Sequence, residues 1–336
     1  MEQSRVDVII PVYNAADYLE RCLESVVNQT YKNIRILIIN DGSIDKSADI
    51  IWEYAKKDDR CEVIEQENKG IGGTRNVGLS NLKSEYFMFL DSDDEIALNY
   101  IEVLINKMKQ YNADVGIASM IDGKISLLDS VSEELIIIQK NRKAFYEHYV
   151  IKNRLYYGVP NKMFRTNTIN SMYFEENCNF GEDLLFMLKY YMRIDSIVIE
   201  KEAKYYYHVD NQESLTRKKC PDRCYQQYRV CEKFYEYLVQ NSILKDNIEL
   251  YAELMWMLII SGMGLSIREG ANKEMIIEYL KKVLESEAYN KIAEFNRVKG
   301  ANRWINIEGT SLLSRVKLAT LIFLIRKEKW KFLKRI

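Results

Sequence analysis

Tyr86-Phe87-Met88-Phe89-Leu90-Asp91-Ser92-Asp93-Asp94 runs from an apolar segment straight into acid. A short run without charge predicts a buried strand, and the abrupt change of character predicts that the chain leaves the sheet at Asp91. Where the backbone stays extended, side chains alternate, so Asp91 and Asp93 point the same way. Two carboxylates so placed repel each other. A divalent cation, Mn2+ or Mg2+, held by one or two carboxylates together with phosphate oxygens and water, would relieve that repulsion. A solvated acidic turn capping the next helix would use the same residues, and the motif alone leaves both readings open.

Upstream, apolar runs alternate with helical periodicity. Val6 to Ile10, Ile34 to Ile39 and Cys61 to Glu65 are predicted strands, and helices are predicted over 17–28, 46–56 and 72–81. Strands interleaved with helices predict an α/β fold with a mostly parallel, Rossmann-like sheet covered on both faces. In such sheets ligands bind beyond the carboxyl ends of the strands, and the polar clusters fall there: Tyr13 and Asn14, Asp41, Asn68 to Arg75, and Asp91 to Asp93. Downstream come a helix over 98–111, a strand at 115–118, a less regular stretch to Arg217, and a strand at 204–208. Helices follow over 225–240, 244–267 and 273–284, with Gly262, Gly264 and Gly270 taken as kinks or ends. We divide the chain into residues 1–98, 99–217 and 218–336, the last a helical region.

At 336 residues, 47% hydrophobic and 29% charged, with 3 prolines and 14 glycines, the chain has the composition of a folded protein with little disordered linker. A net charge of -1 supplies no general field for nucleic acid. The first apolar run is too short for a secretory segment, which predicts a cytoplasmic setting in which the six cysteines stay reduced. Cys220 and Cys224 could face each other as a metal half-site or pack as ordinary thiols.

Asp41-Gly42-Ser43 can be a turn with a helix cap, or a carboxylate that accepts from a base or ribose. Asn68 to Asn76 puts glycines, Lys69 and Arg75 at a helix start, where amides and the dipole favour phosphate, although it matches neither common glycine-rich fingerprint. Glu182 and Asp183 open an amphipathic helix. They either offset the helix dipole or present an ionised general base to a cleft. His208 is either a metal ligand from the far side or a partly buried histidine.

Taken together, Ile9 to Asn14, Asn40-Asp41-Gly42-Ser43, Arg75-Asn76-Val77-Gly78, Asp91-Ser92-Asp93-Asp94 and Gly181-Glu182-Asp183 resemble the bacterial family 2 glycosyltransferases, in order and spacing, over about residues 5 to 217. The resemblance implies a GT-A fold, a UDP-sugar donor, a divalent metal ion and inversion at the anomeric carbon. It implies that Pro11, Tyr13, Asn14 and Asp41 line the donor pocket, with Tyr13 and Asp41 on the uracil. Arg75 would lie near base and diphosphate, Asp91 at the ribose, Ser92 within the donor site, and Asp93 on the metal. Asp183 would be the catalytic base, and Glu182 and Lys162, the latter in Asn161-Lys162-Met163-Phe164-Arg165, would meet the acceptor. Asn40 departs from the aspartate of many members.

Residues 315–336 carry eight Lys or Arg against one acid, Glu328, among Leu318, Leu321, Ile322, Ile325, Trp330 and Leu333. Such a basic amphipathic helix can lie on an anionic membrane surface or pack on the protein, and its apolar core is far short of the roughly 20 residues that span a bilayer. The membrane reading fits an enzyme on the inner face of the cell membrane that adds a hexose or N-acetylhexosamine to a lipid-linked saccharide in surface polysaccharide synthesis. A homo-oligomer stays open. The competing readings are a catalytically silent partner of another glycosyltransferase and a nucleotidyltransferase, which also uses paired aspartates at strand ends.

Overall fold

The computed structural model describes residues 4–122, 125–126, 128, 134–138, 142–146, 150, 158–176, 180–208 and 219–298. Cys178 and the basic tail lie outside them. The chain forms two compact units, Met1–Glu213 and Ser214–Ile336.

In the first unit, β1 (Val6–Val12), β2 (Ile34–Asp41), β3 (Cys61–Gln66) and β4 (Tyr86–Phe89) form a parallel array, with β1 between β2 and β4 and with β3 outside β2. The helices between them are α1 (Ala16–Val27), α2 (Ser47–Lys57) and α3 (Gly70–Ser80). β1 and β2 are buried along their whole length, as strands covered on both faces should be. α1 turns Leu19, Cys22, Leu23 and Val26 inward, a repeat of one helical face. Gly78 in α3 permits close packing on the sheet: a methyl group there would stand 2.6 Å from Ile9 Cγ2.

β5 (Glu95–Ile96) and α4 (Tyr100–Tyr111) lead to β6 (Val115–Asp122), β7 (Ile125–Ser126), β8 (Leu135–Ile137), α5 (Arg142–Phe145) and β9 (Lys162–Arg165). α6 (Glu182–Tyr191) and β10 (Ser196–Tyr207) complete the unit. The main path through the sheet is β3-β2-β1-β4-β9-β6-β10-β5. The parallel order expected from the sequence holds from β3 to β4. β9 then enters antiparallel between β4 and β6, pairing Phe87 with Phe164 and Val115 with Phe164. Its rings explain the fit, since Phe164 stacks on Phe87 at 5.0 Å. β10 begins earlier than the expected 204–208 because Ile197, Val198 and Ile199 pair with β6 before the register shifts between Glu200 and Lys204.

The second unit contains α7 (Arg223–Gln240), α8 (Leu244–Arg268), α9 (Lys273–Glu285) and α10 (Glu287–Val298). α8 is long and apolar enough to cross a membrane, with a mean hydropathy of 1.6, but 78% of that window is buried inside the structure. Gly262 and Gly264 do not end it. Gly262 lies mid-helix, where a methyl group would stand 2.7 Å from Gln227 Oε1 and 3.1 Å from Cys224 Cα, so its smallness lets α7 approach. Gly270, at φ +110, does follow the helix end. Cys220 and Cys224 form no metal half-site: Cys220 Sγ meets Asp222 Oδ1 at 2.9 Å, Cys224 is buried, and no metal-holding group of three or more His, Cys, Asp or Glu occurs among the described residues.

One polar pair lies inside the sheet. Asp7 on β1 sits opposite Arg35 on β2, both fully buried, and Arg35 Nε and Nη2 reach the Asp7 carboxylate at 2.9 and 2.8 Å. Ser84 Oγ and the Lys83 amide also donate to it. Burial alone would lift the Asp7 carboxyl, but these bonds and the Arg35 charge outweigh it and hold the group below the ordinary carboxylate range. That stabilisation is present above the unfolded value and is lost only as pH falls through the lower folded one. Asp7→Ala leaves the buried Arg35 with the half-exposed Glu62, at 3.0 Å, as its remaining ion-pair partner, so urea unfolding at pH 7 should show a loss of about 3 kcal/mol, the lower end for a broken buried pair. The deficit should shrink in strong acid.

Candidate active site

Because β1 to β4 run parallel, the loops after Val12, Asp41, Gln66 and Phe89 leave the same edge of the sheet. Chain order reverses between β1 and β4, which is where α/β sheets open a crevice.

On one side the first two loops interlock. Asn14, at φ +47, donates its amide to Ser43 Oγ at 3.1 Å and accepts the Ile44 amide on Oδ1 at 2.9 Å. Pro11 is buried, whereas Tyr13 is 52% exposed and offers its ring to solvent. Asp41 is buried and accepts from the Lys69 amide (2.8 Å), the Gly70 amide (3.0 Å) and Gln66 Nε2 (2.6 Å). A carboxylate thus already meets the amides at the start of α3, the place where the glycine-rich loop was expected to receive phosphate.

α3 reaches from that rim across to the other side. Arg75 is 4% exposed and sends Nη1 to Glu182 Oε1 and Nη2 to Asp91 Oδ1, both at 3.0 Å. Its guanidinium lies 5.9 Å from the Phe89 ring and 5.5 Å from that of Phe174. Asn76 clips the next segment in place: Nδ2 donates to the Phe174 carbonyl at 3.0 Å and Oδ1 accepts the Phe174 amide at 2.7 Å. Phe174 in turn stacks on Phe186 of α6 at 4.1 Å. Two neighbouring side chains of one helix therefore fix the start of α6, with Glu182 and Asp183, against the end of β4.

The acidic loop is held from below. Tyr205 Oη donates to Asp94 Oδ2 at 2.7 Å and accepts the Asp91 amide at 3.4 Å. The His208 amide reaches Asp94 Oδ1 at 2.9 Å, and Arg21 Nη2 donates to the Asp93 carbonyl at 2.8 Å. Asp94 is fully buried. Burial, then the charge of Asp91, push its carboxyl up to about 8. Asp91, Ser92 and Asp93 remain partly exposed beside it. The His208 ring, 2.7 Å from Glu95 Oε1, follows β10 and sits near the same loop. Four carboxylates, Asp91, Asp93, Asp94 and Glu95, fall within five residues. Asp94 is engaged by Tyr205 and the His208 amide and Glu95 by the His208 ring, and the described residues hold no group of three or more His, Cys, Asp or Glu placed to bind a metal by themselves. A cation here would draw most of its ligands from phosphate oxygens and water, as Mg2+ with one or two protein carboxylates commonly does.

Across the Arg75 bridge, Glu182 is 8% exposed, and burial, then the Asp183 charge, push its carboxyl up to about 7 against the pull of Arg75. Asp183 is more open and accepts the Leu184 amide on Oδ1 at 2.6 Å. Lys162, at the start of β9, is 1% exposed, with Nζ on the Gly158 carbonyl and Asn161 Oδ1, both at 2.9 Å. The structure thus joins Arg75, Asp91 and Glu182 directly. Tyr13, Asn14 and Asp41 belong to the loops on the far side of the crevice. Sequence reasoning gave no role to Asp94, Asn76 or Tyr205. Asp94 lay inside the quoted acidic run, but nothing in Lys204-Tyr205-Tyr206-Tyr207 distinguishes the inward tyrosine from its neighbours.

Residues 7–177 match the model of glycosyl transferase family 2. The chain belongs to that family. It is 33% identical over 213 residues to the glycosyltransferase GlyA of Streptococcus pneumoniae, covering 61% of this chain and 30% of GlyA. It is 32% identical over 214 residues to GlyG of the same organism, covering 60% of this chain and 70% of GlyG. The chain therefore spans less than a third of the length of GlyA, but most of GlyG. Its fold is similar to that of Staphylococcus aureus TarS residues 1–349 in complex with UDP-GlcNAc, with a TM-score of 0.63 at 19% identity over 91% of this chain and 95% of that one. This is the GT-A fold.

Glu182 supplies a check on the geometry. A folded value of about 7 against an ordinary 4.5 means that its stabilising contribution is complete below about 4.5 and is lost as pH rises to 7. Melting temperatures measured from pH 5 to pH 8 should fall less steeply for Glu182→Gln than for the parent chain.

Proposed function

We propose that this protein is an inverting, metal-dependent glycosyltransferase that moves a hexose or N-acetylhexosamine from a UDP-sugar to a hydroxyl of a saccharide acceptor. The observation that carries the reading is the pairing of two carboxylate clusters, Asp91 to Asp94 and Glu182 with Asp183, joined by Arg75 at the carboxyl edge of a GT-A sheet. Membership of the family and the likeness to a fold that holds UDP-GlcNAc in TarS support the donor class.

In this reading the exposed Tyr13 ring stacks on the uracil, with Pro11, Asn14 and Asp41 shaping the wall behind it. Asp91 and Ser92 meet the ribose, and Arg75 steadies Asp91 from the buried side. A divalent cation on Asp93, with His208 as a further ligand, would neutralise charge on the departing diphosphate. Asp183 accepts the proton of the acceptor hydroxyl as its oxygen attacks the anomeric carbon from the face opposite the leaving group, which gives inversion. Glu182 fixes the orientation of this corner through Arg75 and contacts the acceptor. The basic stretch 315–336 supports a lipid-linked acceptor on the inner face of the cell membrane, as in surface polysaccharide assembly.

UDP-sugars screened by thermal shift with Mn2+ test the donor site: UDP-GlcNAc or a related sugar should raise the melting temperature, and Asp93→Ala should remove the metal-dependent part. Product analysis should find UDP, not pyrophosphate. Asp183→Asn should lower turnover by roughly 10²–10⁴-fold while leaving UDP binding intact. A protein that no UDP-sugar stabilises, or an Asp93→Ala variant with the parent's turnover, would sink the proposal.

A further inference from the structure

Just before β9 the chain adopts a costly shape. Gly158 and Asn161 both take left-handed φ values, +65° and +60°, with Val159 and Pro160 buried between them. A non-glycine residue in that region costs roughly 1–2 kcal/mol, and such strain persists where surrounding contacts over-determine it. At Asn161 those contacts are to β6: Nδ2 donates to the Ala118 carbonyl at 2.7 Å and the main-chain carbonyl accepts the Ala118 amide at 2.9 Å. With the amide anchored on β6, Oδ1 is left facing the Lys162 ammonium.

Lys162 folds back over the turn and also holds the Gly158 carbonyl. A lysine at 1% exposure is uncommon, because taking an ammonium out of water costs several kcal/mol unless charge and hydrogen bonds offset it. Burial lowers its proton affinity to about 7, and the opposite charge of Asp183 works against that fall. The contact to Asp183 runs through Gly158: a methyl group there would stand 3.6 Å from Asp183 Oδ2 and 3.0 Å from Pro160 Cδ. The residue whose carbonyl grips the ammonium is the residue that lies against the carboxylate.

We propose that Lys162 is a positioning residue for Asp183: its buried ammonium locks the Gly158–Asn161 turn against the Asp183 carboxylate and faces that carboxylate with positive charge from the protein interior. The proposal rests on Asp183 being the base, and it gives Lys162 a place behind the reacting groups in contrast to the acceptor contact implied by family resemblance. Charge, turn and base then form one unit, so their replacements should be non-additive.

The test follows UDP release from the UDP-sugar that gives the largest thermal shift, with water as acceptor, and the affinity for UDP with Mn2+ by calorimetry. Asp183→Asn should lower kcat and leave UDP affinity unchanged. Lys162→Met and Gly158→Ala should each lower kcat by roughly 10- to 100-fold, the scale of a misplaced catalytic group, with donor KM and UDP affinity within about twofold of the parent. Lys162→Met added to Asp183→Asn should cause no further loss. Parent-like kcat for Lys162→Met beside an impaired Asp183→Asn overturns the positioning role alone, as does a loss of kcat in which UDP affinity and melting temperature fall together and donor KM rises. Should Lys162→Met fail to fold, Gly158→Ala decides by the same criteria. If Asp183→Asn keeps the parent's kcat, the base assignment falls, and the positioning role falls with it.

Discussion

The site is organised around one buried guanidinium. Arg75 joins α3 to Asp91, 16 residues on, and to Glu182, 107 residues on, and it does so between two aromatic rings at 4% exposure. In so dry a setting the guanidinium needs a charged partner, and removing it leaves two acids without the cation that joins them. Asn76, one residue further, copies a strand's hydrogen bonds onto Phe174 and so delivers the start of α6 to the same place. Both contacts act beside the ring contacts of Phe174 with Phe89 and Phe186, which also tie the end of β4 to α6.

Around that bridge the acids are sorted by depth. Asp94 and Glu182 are buried and their carboxyls are pushed up to about 8 and about 7, while their neighbours Asp91, Asp93 and Asp183 stay partly open. Adjacent carboxylates in unlike surroundings are how proteins divide labour among chemically identical groups. The buried members act as struts, Asp94 through Tyr205 and the His208 amide, Glu182 through Arg75. The open ones face whatever enters the crevice.

The sequence made the first half of the fold plain, because buried parallel strands are continuous apolar runs and their loops carry the polar residues. Val6–Val12 and Ile34–Asp41 each emerge two residues longer than expected, since Pro11, Val12, Asn40 and Asp41 continue the ladder. β9 was not legible. Lys162-Met163-Phe164-Arg165 is too short to show a period, and only its tertiary setting between β4 and β6 makes it a strand. Among site residues, the motif positions could be named but their manner of acting could not. Asp41, expected at the base, also accepts the amides at the start of α3, and Lys162, expected on the acceptor side, is buried with its ammonium on Gly158 and Asn161. Burial and direction are properties of the assembled chain, and local spacing carries neither.

The placement of positive charge bears on how an anionic donor can be held. Arg75 and Lys162 stand on the protein side of the acids, at 4% and 1% exposure, so a diphosphate approaching from solvent reaches Asp91, Asp93 and Asp183 before either cation. The amides of Lys69 and Gly70, the usual recourse for phosphate at a helix start, already bind Asp41. Arg21, which donates to the Asp93 carbonyl at 2.8 Å, sets a single positive charge beside the carboxylates of Asp91 and Asp93. In the reaction proposed above, a divalent cation arriving with the donor would make the carboxylates the attractive half of the site.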